Sequence, residues 1–398
     1  MRYVCSFALL ALAPFAIGQD SWLRVGVECP TPSAVATLLD LPLTSYHCEA
    51  APGVVEMAVG PGQLPILDFA GFRYRVLGKL RDPYDRDSDL LRPAATDYRN
   101  EYFNLAEIQA FFDGLALQRP KFVRRVQIGT TIQSRPIFAY RFSGPQTAPS
   151  QTPGKAYLFV GITHAREWVS GSAIMHVGKS IADTLANPAT RAIIGKRVVW
   201  IVPVVNPDGY NHTWTTYRLW RKNRRLNSDG SRGVDLNRNY AKGWGGQGSS
   251  GNPGSETYRG TAPFSEPEMQ AVRDLALSIP NIAGFIDFHS YSQEILWPWS
   301  YTTSSPPDAA ALQSIAVSMQ SAMGGFGASY GQGQGSIALY VASGTSKDWF
   351  YDQWRAASYT IELRDTGQFG FELPANQITP TQNEAWAGVQ ALFNRVGS

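Results

Sequence analysis

Only five histidines occur in the 398-residue sequence, few enough to weigh each one for chemistry. His164 lies in Thr163-His164-Ala165-Arg166-Glu167-Trp168, directly after the apolar run Ala156 to Ile162, and Glu167 follows it by three residues. An imidazole and a carboxylate so placed at a strand end can turn toward one metal ion. A His-x-x-Glu tetrapeptide alone is a weak signal, and a third ligand must come from elsewhere. His289, in Phe288-His289-Ser290-Tyr291, closes a second apolar run that begins at Ala283. Two histidines and a glutamate make a zinc set with one position left for water, the catalytic rather than the closed structural arrangement. Of the others, His47 belongs to a small N-terminal region and His176 lies on a helical pattern. His212 sits in the glycosylation sequon Asn211-His212-Thr213. These three are read as packed or solvated.

Such ligands need strands that bring them to one edge. The clearest strand patterns are Pro136 to Ser143, Ala156 to Ile162, Arg197 to Val205, Ala283 to His289 and Ser358 to Arg364. Two are nearly continuous apolar runs, as expected where helices cover both faces of a sheet. Helical patterns begin at Asn104, with Glu107 three residues on as a capping box. They recur over Ser170 to Ala186, Ser265 to Ser278 (capping box Ser265/Glu268), Asp308 to Met323 and after Thr379-Pro380. The region from about residue 95 onward is therefore expected to be α/β with a mixed sheet. Open α/β sheets place ligands beyond the carboxyl ends of their strands.

The N-terminal region reads differently. Phe7 to Ile17 is an apolar run preceded by Arg2 and followed by Gly18, too short to span a bilayer and built like a secretory signal peptide over residues 1–18. Trp22 to Leu77 gives strand, helix, strand (Ser45 to Glu49), strand, helix and strand, a small α+β unit of the ferredoxin-like kind. Arg81 to Asp89 is densely charged and broken by Pro83, with Pro93 beyond, and reads as an exposed linker over 81–95. Of three cysteines, Cys5 lies in the signal, leaving Cys29 and Cys48 as a candidate pair. A net charge of +3 with no long basic block gives no reason to expect nucleic acid or an anionic membrane as partner.

Taken in order, the segments resemble the secreted zinc metallocarboxypeptidases of the pancreatic carboxypeptidase A/B family, made as proenzymes. The likeness runs from about Tyr102 to the C-terminus. It rests on His-Ala-Arg-Glu-Trp at 164–168, Asn-Pro-Asp-Gly-Tyr at 206–210, Arg-Leu-Trp-Arg-Lys-Asn-Arg at 218–224 and Val-Asp-Leu-Asn-Arg-Asn at 234–239. His-Ser-Tyr-Ser-Gln at 289–293, Leu-Tyr-Val-Ala-Ser-Gly at 339–344 and Glu-Leu-Arg-Asp-Thr-Gly at 362–367 complete it.

The resemblance implies a mixed-sheet metallocarboxypeptidase domain over 96–398 with helices on both faces, preceded by an inhibitory propeptide domain over 19–80. It implies one zinc ion on His164, Glu167 and His289, with Glu362 as general base. Arg221 matches the residue that stabilises the oxyanion, and Asn237 and Arg238 match the clamp for a terminal carboxylate. A planar guanidinium beside an amide suits that carboxylate. Tyr340 matches the mobile phenol over the bound terminus; Arg166, Arg218 and Phe371 match substrate-contacting positions; Asp235 matches the carboxylate that orients His164. The expected partners are peptide C-termini, an activating endoprotease cutting near Arg81, Arg86, Arg92 or Arg99, and the chain's own prosegment. The protein would be secreted and act as a monomer.

Two departures stand out. No cysteine follows Cys48, so the enzyme domain lacks the family's usual internal disulfide. Lys347 matches the position at the base of the family's specificity pocket, where an apolar residue accompanies preference for aromatic and aliphatic C-terminal residues and an aspartate accompanies preference for Lys and Arg. A buried ammonium there favours acidic side chains, or tolerates large apolar ones if Lys347 snorkels. The zinc set alone also suits an amidohydrolase or cell-wall peptidase of related fold, and an inactive peptide-binding homologue would have lost one of these groups. Lys222, Arg224 and Arg225 read as a solvated charged face.

Overall fold

The computed structural model describes residues 23–41, 53–59, 63–79, 94–144 and 154–397. The signal segment, the strand expected at Ser45 to Glu49, Cys5, Cys48 and the cleavage candidates Arg81, Arg86 and Arg92 lie outside them. No described helix is long and apolar enough to cross a membrane.

The small N-terminal unit comprises β1 (Leu23–Cys29), α1 (Pro32–Asp40), β2 (Gly53–Val59), α2 (Leu64–Phe69) and β3 (Tyr74–Lys79). Its described strands form an antiparallel sheet in the order β2-β1-β3. Alternation drives the packing: Val25, Val27 and Cys29 on β1 and Val55, Met57 and Val59 on β2 are buried, with Val35, Leu38 and Leu67 from the helices. The same apolar cluster continues into Leu296, Leu339, Tyr340 and Ala342 of the large domain.

The large domain continues with α3 (Leu105–Gln118), β4 (Val123–Thr130), β5 (Pro136–Ser143), β6 (Ala156–Gly161), α4 (Trp168–Ala186) and β7 (Val198–Val202). Next come α5 (Pro207–Thr215), α6 (Pro267–Leu277), β8 (Ile282–Ser290), β9 (Glu294–Trp297), α7 (Ala309–Gly324) and β10 (Gly331–Gln334). The last elements are α8 (Gly335–Ala338), α9 (Ser346–Trp354), β11 (Ala357–Leu363) and α10 (Ile378–Val396).

Eight strands form one mixed sheet in the order β10-β9-β11-β8-β6-β7-β5-β4. The four central strands, β11, β8, β6 and β7, are mutually parallel, so their carboxyl ends share one edge. Both faces are covered. On β6, Tyr157 and Phe159 enter a core with Leu392 and Phe393, while Leu158 and Val160 enter the opposite core with Met269 and Phe350.

The capping box at Asn104/Glu107 is formed as expected. The one expected at Ser265/Glu268 is not: α6 starts at Pro267, Glu266 takes the capping position without a side-chain cap, and the Ser265 hydroxyl hydrogen-bonds Asn239 and Glu266 instead. Strands β4, β9 and β10 had no counterpart among the clearest sequence patterns.

Candidate active site

His164 follows β6 by three residues, and Glu167 sits at the capping position of α4. His289 lies near the end of β8, the strand next to β6. All three side chains are buried, and their ligand atoms lie within 4.8 Å of one another. Glu167 Oε1 is 2.8 Å from His164 Nδ1, Oε2 is 2.9 Å from His289 Nδ1, and the two Nδ1 atoms are 3.1 Å apart. Ligand atoms arranged tetrahedrally at zinc bond lengths of about 2.0–2.1 Å stand roughly 3.3 Å apart, so this set fits zinc. Burial would push the Glu167 carboxyl up, but the two imidazoles hold it down at about 2, in the ionised form a ligand needs.

The far side of His164 is also held. Its Nε2 lies 3.0 Å from Asp235 Oδ1, while Asp235 Oδ2 accepts from Arg221 Nε at 3.2 Å and Nη2 at 2.9 Å. Burial opposes the Asp235 charge, yet Arg221, His164 and Arg238 hold its carboxyl well below the ordinary range. The third guanidinium nitrogen of Arg221, Nη1, reaches to 3.2 Å of His164 Nδ1, on the ligand side. Glu362 arrives by strand register: on β11 it stands directly opposite His289 of β8, across a spacing of about 4.8 Å. It is buried at 1% exposure. Arg364, the other partner conceivable for Glu362, pairs instead with Glu384.

Residues 108–388 match the family described as zinc carboxypeptidase. The chain belongs to that family. It is a metallocarboxypeptidase with zinc as its cofactor. It is 41% identical over 299 residues to mouse carboxypeptidase A4, covering 74% of this chain and 70% of that protein. It is 38% identical over 338 residues to bovine carboxypeptidase A1, covering 82% and 80%. The crystal structure of carboxypeptidase A from Helicoverpa armigera superposes with a TM-score of 0.82 at 26% identity, covering 95% of this chain and 98% of that one.

The remaining expected residues of this zinc carboxypeptidase gather on the same edge. Arg238 is fully buried and donates from Nε to the Gly248 carbonyl at 2.8 Å and from Nη2 to the Tyr340 hydroxyl at 3.1 Å. Asn237 uses Oδ1 to accept from the Ser346 amide at 2.8 Å, leaving Nδ2 3.4 Å from His289 Nε2. The Arg166 guanidinium lies 4.2 Å over the Phe371 ring and 3.6 Å from Glu256. Arg218 lies over the Trp168 ring at 3.8 Å and donates to the carbonyls of Arg166 and Phe371, so it ties together the segments that carry those two residues.

Lys347, on the first turn of α9, is 2% exposed, so its ammonium stays inside rather than snorkelling out. Among the described residues it has no ion-pair partner. Its neighbour Asp348 is spent on the amides of Ser300 and Tyr301. A side chain at Gly335 would put its Cβ 3.2 Å from Lys347 Nζ and 2.2 Å from Ser300 Oγ, so glycine there lets the ammonium and the Ser300 hydroxyl pack close against the backbone.

Three readings of the basic cluster change. Lys222 is 3% exposed and donates to the carbonyls of Pro253 and Ser255; it is no solvated charge. Arg225 pairs with the buried Glu266 at 2.7 Å, and Arg224 lies 4.3 Å over Trp220. His176 is packed beneath Arg99, whose Nη1 is 2.9 Å from its Nδ1, and burial pushes it down to about 4. Two residues that sequence reasoning passed over also join the site: Glu256 beside Arg166, and Asp287 behind His289. Asp287 was findable, because residues two apart on a strand share a face.

Proposed function

We propose that this metallocarboxypeptidase removes acidic residues, glutamate above all, from peptide C-termini. The observation that carries the reading is Lys347: a buried ammonium that forms no ion pair among the described residues is complementary to a carboxylate and hostile to Lys or Arg. Bound zinc, on His164, Glu167 and His289, supplies a Lewis acid that brings the pKa of water to about 7. Glu362 takes the proton of the attacking water and passes it to the leaving amine. Arg221, aimed at the ligand side of His164, donates to the oxyanion, a role worth roughly 3–4 kcal/mol where one such donor has been removed. Asn237 and Arg238 grip the terminal carboxylate, and Tyr340 closes over it. Arg166 and Phe371 line the path of the upstream peptide, positioned by Arg218. Asp235 holds His164 in the tautomer that frees Nδ1 for metal.

The N-terminal unit acts as an inhibitory prosegment of a secreted zymogen. Support comes from the shared apolar cluster, in which its core residues pack with Leu296, Leu339 and the clamp's own Tyr340. Activation cleavage falls at Arg81, Arg86 or Arg92 rather than at Arg99. Arg99 is tied to His176 and Asn383, and its carbonyl accepts from Thr379, so its peptide is a poor protease site. The test is release of C-terminal residues from peptides ending in Glu, Phe or Arg, before and after limited proteolysis of the full chain. Glu should be released fastest and only after cleavage. Arg or Phe as the preferred residue would overturn the specificity reading, and full activity in uncleaved chain would overturn the inhibitory one.

A further inference from the structure

Asp287 lies two residues before His289 on β8, and both side chains are fully buried. Its Oδ2 is 3.0 Å from His289 Nε2, the nitrogen turned away from the ligand cluster. The same oxygen accepts from Ser346 Oγ at 2.7 Å, and Oδ1 accepts from Thr163 Oγ1 at 3.0 Å. Thr163 immediately precedes the ligand His164, and the Ser346 amide holds Asn237. No Lys or Arg pairs with Asp287 among the described residues. A buried carboxylate held only by an imidazole and two hydroxyls is costly unless positive charge stands close by.

We propose that Asp287 is the positioning residue for the second zinc ligand. It accepts the Nε2 proton of His289, which leaves Nδ1 with its lone pair toward the metal, and it fixes the plane of the ring. The arrangement mirrors Asp235 behind His164, so both imidazoles are locked from behind by carboxylates. They differ in compensation: Asp235 is neutralised by Arg221, whereas the charge of Asp287 would be met across the ring by a zinc ion bound on His289. Through Thr163 and Ser346, Asp287 also joins the loop bearing His164 to the helix turn bearing Lys347. The inference rests on the zinc site and is independent of the specificity reading, which its test does not touch.

The experiment is the zinc dissociation constant of the full chain, measured by chelator competition, together with the visible spectrum of the cobalt-substituted protein. Asp287→Asn should weaken zinc binding by about 10- to 100-fold and shift the cobalt bands, the size expected when a hydrogen-bond partner of a ligating histidine is removed. Thr163→Val and Ser346→Ala, which each remove one hydroxyl that holds Asp287, should each weaken zinc by a smaller factor. They carry the test if Asp287→Asn does not fold. A folded Asp287→Asn protein with parental zinc affinity and cobalt spectrum would overturn the proposal. So would lowered thermal stability at unchanged affinity, or two hydroxyl variants that both bind zinc as the parent does.

Discussion

Replacing Lys347 with methionine removes one ammonium and keeps most of the side-chain volume. Lys347 is 2% exposed, so a substrate carboxylate reaching its ammonium would be taken out of water. Truncating one partner of a buried charge pair costs about 2–5 kcal/mol, much of it the penalty of leaving the other charge unpaired. At about 1.4 kcal/mol per factor of ten, kcat/KM for a peptide ending in Glu should fall by roughly 30- to 4000-fold. The same substitution makes the pocket apolar, and burying a leucine side chain there is worth about 1.5–3 kcal/mol. A peptide ending in Leu should therefore gain at least about tenfold. The assay is kcat/KM for two peptides that differ only in the final residue, measured on activated parent and variant. The Glu/Leu ratio should swing by at least about 300-fold. A swing below tenfold, or unchanged cleavage of the Glu peptide, would refute the claim that Lys347 receives the substrate's side chain.

Three further outcomes follow from the same structure. Glu362→Gln should lower kcat by about 10²–10⁴ with little change in KM, measured on a Glu-terminated peptide; parental kcat would remove Glu362 from proton transfer. Gly335→Ala places a Cβ 2.2 Å from Ser300 Oγ and 3.2 Å from Lys347 Nζ, and should raise KM for Glu-terminated peptides at least as much as it affects Leu-terminated ones; the opposite ranking would contradict the pocket's placement. Burial pushes the Glu268 carboxyl from 4.5 up to about 8. A raised folded pKa means that this group's stabilising, neutral form is fully present below pH 4.5, and stability drains as pH rises toward 8, by up to about 1.4 kcal/mol per pH unit. Thermal melting of Glu268→Gln should match the parent near pH 4.5 and exceed it near pH 8; parallel melting curves would show that Glu268 is not held neutral.

The zinc set was legible because of where apolar runs stop. β6 and β8 are buried along most or all of their length, and each run ends at or just before a residue that no core would choose, His164 and His289, whereas Glu362 lies inside the buried β11 and was signalled only by the family resemblance. Parallel pairing then does the rest, since Glu362 stands opposite His289 in register. The edges of the sheet were illegible for the opposite reason. β10 is Gly331–Gln334, with no apolar residue to signal it, and β4 has only Val123 fully buried, with Arg124 and Arg125 exposed directly after it. Lys222 looked solvated because its two acceptors, Pro253 and Ser255, lie about thirty residues away in a loop that sequence periodicity does not place. The Ser265/Glu268 capping box failed to form because Ser265 had a tertiary partner, Asn239, and Glu268 was drawn to Asn223. Local capping rules hold only where nothing more distant competes.

An exopeptidase built from one zinc site and a carboxylate clamp needs both the metal and the free carboxylate of its substrate. The most direct test pairs a Glu-terminated peptide with the same peptide bearing a C-terminal amide, assayed on activated enzyme as purified, after chelation and after zinc is restored. Glutamate should be released from the free acid alone, its release should fall in proportion to zinc removed, and it should return with zinc. Equal turnover of the amide, or cleavage that survives complete removal of the metal, would contradict that requirement.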